Sequence, residues 1–108
     1  MRHALLATAA LVALSLPAAG GQPLVRIIGI GGMSYPIWTA DESSRSEGDA
    51  WILGFWSGAN MARSLAVGSS TDGAGIIARV LDTCRDDPSL LLVHAAIKVY
   101  SALRQEGR

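Results

Sequence analysis

Apolar residues recur at helical spacing through most of the chain, and the periods predict three helices. The first is centred on Ala50–Asn60, AWILGFWSGAN, which holds two of the three tryptophans and the only phenylalanine. Stepping about 100° per residue from Trp51 gathers Trp51, Ile52, Phe55, Ala59 and Ala62 on one broad face. Ser57, Asn60 and Arg63 fall opposite, with Leu53 and Trp56 interleaved among them. A helix this apolar around its girth is expected to be buried on several sides. Gly54 and Gly58 share one edge, and each costs about 1 kcal/mol relative to alanine inside a helix. Their presence predicts close approach of a neighbouring segment. The second helix shows Ile76, Ile77, Val80, Leu81 and Cys84 on one face. The third carries a stripe of Leu91, Leu92, Ala95, Ala96, Val99 and Leu103, with His94, Lys98, Ser101 and Gln105 opposite.

Polar punctuation sets the boundaries. Ser44 followed by Glu47 fits a capping box, which predicts a first helix over about Arg45–Met61. Asp72 suits the N-cap of the second helix, near Asp72–Cys84, where its charge also favours the helix dipole. Gly73 and Gly75 weaken that helix's first turn and allow it to approach the central one. Asp87 before Pro88 suits the start of the third, near Pro88–Gln105. Ahead of these helices, Leu24–Ile28 reads as a short strand or an extended arm broken by Gly29, Gly31 and Gly32. Pro36 can open a short helical turn that brings Trp38 inward. The predicted fold is all-α: a small bundle of three main helices over residues 44–108, preceded by an irregular arm over 21–43.

Residues 1–20 have the pattern of a cleaved signal peptide: Arg2 and His3, an apolar run from Ala4 to Leu16, then small residues. Cleavage after Gly20 puts Ala18 and Gly20 at the −3 and −1 positions. The expected product is periplasmic or secreted, with no stable membrane insertion once cleaved. The full chain has nine Lys+Arg and nine Asp+Glu, so losing Arg2 leaves a net charge of −1. No basic patch remains to attract nucleic acid.

The chemistry on offer is sparse. Past the leader, His94 is the one histidine and Cys84 the one cysteine, which is fewer than the three or four ligands a zinc site needs. Gly29–Gly32 resembles the opening of a dinucleotide loop, but the third glycine position is Ser34. Gly68–Gly75, GSSTDGAG, precedes a helix yet lacks the phosphate-loop lysine, and Asp72 repels an anion there. Ser69 and Ser70 lie outside any nucleophile elbow. Asp86 and Asp87 read as capping residues. The residues predict no catalytic site and no cofactor or metal. The candidate structural core is Trp51, Ile52, Phe55, Trp56, Ile77, Val80, Leu81, Cys84, Leu92 and Val99, and the candidate caps are Ser44, Asp72 and Asp87. Cys84 has two readings: a small buried hydrophobe, or a thiol that pairs with another chain. Its place on the apolar face favours the first.

The segments W-I-L-G-F-W-S-G-A-N, S-T-D-G-A-G-I and the cysteine followed by D-P-S resemble small exported bacterial helical proteins. These are the HdeA-like acid-stress periplasmic chaperones and the Rap/Tai immunity proteins of type VI secretion. The resemblance spans about Ser34–Leu103. Such proteins carry a first cysteine shortly before a tryptophan and a second near a helix end that precedes an N-P or D-P turn. Cys84 matches the second, but Tyr35 stands at the first, so this chain departs from the pattern at the disulfide. The resemblance implies no catalytic residues. It implies a periplasmic protein-interaction protein, either a client-binding chaperone or an immunity protein that inhibits a secreted effector enzyme. In both cases the partner is another protein.

Overall fold

The computed structural model describes residues 24–108; the leader read over residues 1–20 lies outside them. Among the described residues the fold is all-α. A single 3₁₀ turn, Ile30–Gly32, is followed by α1 (Tyr35–Trp38), α2 (Glu42–Arg63), α3 (Gly73–Asp86) and α4 (Leu92–Gln105). α3 and α4 pack against each other, α2 lies across both, and the arm before α1 rests on α2 and α4.

α2 starts earlier than its capping box predicts. Asp41, not Ser44, is the N-cap, and its carboxylate accepts the Ser44 amide at 2.7 Å. Ser44 therefore sits inside the first turn. The backbone amide of Ser44, and then its hydroxyl, hold the Asp41 carboxyl below the ordinary aspartate range. The stretch 42–49 is polar because its outer side faces water, where Arg45 and Asp49 pair at 3.0 Å one turn apart. The exit from α2 passes through Ser64, whose φ of 53° lies in the left-handed region.

The buried face of α2 is rotated from the one the wheel predicts. Ile52 and Trp56 are its centre, with Trp56 only 3% exposed. Trp51 and Phe55 are half-buried at the edge of the core, stacked on each other with centroids 5.4 Å apart and planes 7° apart. Trp51 faces the arm, whereas Phe55 turns toward Ile97 and Tyr100 of α4. The glycines also differ from expectation. A side-chain carbon added at Gly54 or Gly58 would meet nothing within 4 Å, so neither marks a close approach. The tight glycine of α2 is Gly48, against which the fully buried Trp38 lies. The Trp38 indole donates to the Arg45 carbonyl at 3.2 Å, and the Arg45 guanidinium sits 5.3 Å from its ring. Gly73 comes closest to Leu53 rather than to a glycine of α2.

Asp72 caps α3, accepting the Gly75 amide at 2.8 Å. Ile76, Ile77, Val80, Leu81 and Cys84 form the buried face of that helix. α4 begins at Leu92, four residues after Pro88. Asp87 ends α3 instead of starting α4, and its carboxylate folds over the following turn to accept the Ser89 amide and hydroxyl. The first amide of α4, at Leu92, is satisfied by the carbonyl of Met33 at 2.8 Å, beside an isolated bridge between Ser34 and Leu91. A backbone group of the arm thus does the work of a cap, and Leu91 takes the N-cap position without a side-chain bond. Leu92, Val93, Ala95, Ala96, Val99, Tyr100 and Leu103 are buried. His94, Lys98, Ser101 and Gln105 are exposed.

Candidate functional site

Of the predicted core residues, Ile52, Trp56, Ile77, Val80, Leu81, Cys84, Leu92 and Val99 share one buried cluster. The three predicted cap residues are scattered: Ser44 in the first turn of α2, Asp72 at the start of α3, Asp87 at its end. None of them converges on a site. His94 stands exposed on α4, and Cys84 is fully buried. Burial, and then the charge of Asp87, push the Cys84 thiol above its ordinary pKa. Among the described residues no three His, Cys, Asp or Glu side chains are placed to hold a metal. No helix among them is long and apolar enough to cross a membrane.

Sequence reasoning missed a polar node inside the bundle. Asn60, expected on the outer side of α2, pairs with the backbone of Val67: its amide nitrogen donates to the carbonyl, and its carbonyl oxygen accepts the amide, both at 3.1 Å. The same oxygen accepts the Tyr100 hydroxyl at 2.9 Å, and the Trp56 indole donates to the Val67 carbonyl at 2.8 Å. Trp56 and Tyr100 meet edge to face at 5.0 Å. This node ties α2, the loop after it and α4 together, and among the described residues it leaves no buried side-chain polar atom unpaired. The signal for it was the one-turn spacing of Trp56 and Asn60, which places both on one side of the helix.

The arm carries most of the large exposed apolar side chains. Leu24 is 98% exposed, and Val25 and Ile28 are exposed beside it. Gly29, at φ 86°, redirects the chain into the 3₁₀ turn, whose Ile30 is buried. The Trp51 indole donates to the Ile28 carbonyl at 3.0 Å, and its ring lies against Gly31, where a side chain would collide with it. Trp51 therefore fixes the arm while leaving Ile28 outward. Met33 and Ile37 add half-exposed apolar surface. Between them runs a groove of about 500 Å³ whose lining includes Arg26, Ile28, Met33, Ile37, Ser44 and Glu47. The groove is mainly hydrocarbon, with one cation and one anion. No family model, curated protein or solved structure matches the chain.

Proposed function

We propose that this chain is a non-enzymatic, exported protein-interaction protein of the periplasm that holds apolar segments of other proteins, in the manner of an HdeA-like stress chaperone. The observation that carries this reading is the exposed apolar surface of the arm, formed by Leu24, Val25, Ile28, Met33 and Ile37. Ile28, Met33 and Ile37 line one groove, and clustered exposed apolar surface marks interaction sites. The apolar run from Ala4 to Leu16 supports export. A second reading, a Rap/Tai-like immunity protein blocking one effector enzyme, draws support from the way Trp51 fixes the arm. Inhibitor interfaces are largely preformed.

The two readings separate in an aggregation assay. The mature protein is mixed with a thermally unfolding client at neutral and acidic pH, and light scattering is followed. The chaperone reading expects suppression that weakens in an Ile28→Ser/Ile37→Ser variant of unchanged circular dichroism. Absence of suppression at both pH values sinks it and leaves the immunity reading.

A further inference from the structure

A second unfilled surface lies between α2 and α4. Phe55, Gly58, Ala59 and Ala62 of α2 and Ile97 and Tyr100 of α4 line a trough of about 540 Å³. Its floor is apolar, and Ile97 on its wall is 44% exposed. The trough runs into a polar depression of about 370 Å³ lined by Arg63, Tyr100, Ser101, Arg104 and Gln105. Both helices run the same way along it, from Phe55 to Arg63 and from Ile97 to Gln105. The apolar part is therefore at one end and the arginines at the other. No acidic side chain lines either part.

Among the described residues neither Arg63 nor Arg104 joins an ion pair. The Arg63 guanidinium lies 5.6 Å from the Tyr100 ring. The bland role of both arginines is to offset the negative ends of α2 and α4, whose last turns they occupy. Each helix end amounts to only about half a charge. Two full positive charges therefore leave the depression net positive.

From this we infer that the trough docks an amphipathic helix of a partner protein, one whose apolar stripe is followed by acidic residues. The occupant is argued from charge and dimensions. Eight residues of α2 separate Phe55 from Arg63, about 12 Å of helix. That length matches anchors at i, i+4 and i+7 of a docked helix, with the next turn reaching the arginines. The exposed, small Gly58 and Ala62 leave width for a helix to settle. A small amphiphile needs most of its surface enclosed, and this trough is about half open to solvent. The surface is distinct from the arm, so the inference does not rest on the proposed chaperone activity.

The test uses the whole mature protein and three labelled probes: a peptide of about four turns with leucines at i, i+4 and i+7 followed by glutamates, the same peptide with lysines for the glutamates, and laurate. Fluorescence polarisation is read at low and high salt. The glutamate peptide is expected to bind at least about tenfold more tightly than the lysine peptide, a difference of about 1.4 kcal/mol, and the gap should shrink with salt. Gly58→Leu starts its side chain in open space and replaces glycine with a better helix former; with circular dichroism unchanged, it is expected to abolish binding by occupying the trough. Arg63→Glu with Arg104→Glu is expected to invert the peptide preference. Equal affinity for the two peptides, no measurable binding of the glutamate peptide, unchanged binding by Gly58→Leu, or tighter binding of laurate than of peptide would each overturn the inference.

Discussion

At the scale of single residues, glycines of one helix have opposite roles. Gly48 is covered by the rigid Trp38 ring, whereas Gly54 faces open space. Gly48→Ala should overpack the core and cost about 1–3 kcal/mol. Gly54→Ala should gain up to about 1 kcal/mol through helix propensity. Urea melts of the two variants check this, and losses of equal size would contradict the packing described. Cys84 offers a second test. Its folded pKa is raised, so the folded state favours the neutral thiol. The stability this contributes is complete below the ordinary thiol pKa and is lost as pH rises from there through the folded value. Cys84→Ala should lower stability by about 1 kcal/mol at neutral pH and should flatten the alkaline decline of Tm. Identical alkaline slopes in the two proteins would count against a buried thiol. The buried face of α3 was legible because five apolar residues hold one period without competition. Asn60 was not, because a helical wheel assigns polarity and carries no information on the Val67 backbone and Tyr100 hydroxyl that satisfy it.

At the scale of elements, the existence and order of the three long helices could be read from periodicity, while the caps could not be read equally well. Asp72 acts within its own helix, so its role is local and visible in the sequence. The start of α4 depends on Met33, far back in the chain, and no local pattern announces that bond. The same long-range cause explains the misplaced face of α2. Trp51 looks like a core residue on a wheel, but it supplies a platform for the arm. Trp51→Phe keeps the stack on Phe55 and removes the bond to Ile28. The arm should then open more often. Limited proteolysis is expected to cut near Arg26 faster in this variant, with the Tm little changed. Equal cleavage rates would show that the indole bond does not hold the arm.

At the scale of the whole molecule, the helices make one core, and most of the large exposed apolar side chains, Leu24, Val25, Ile28, Met33 and Ile37, lie on the arm and α1. Composition could not show this, since Leu24, Val25 and Ile28 look the same in a sequence whether buried or exposed. The account's central claim is that this surface holds other proteins. Amide hydrogen exchange of the protein, with and without an unfolded client at acidic pH, tests it most directly. Client binding is expected to slow exchange across Leu24–Trp38 and the facing first turns of α2, and to leave α3 unchanged. Protection that spares the arm, or no protection anywhere, would contradict the claim.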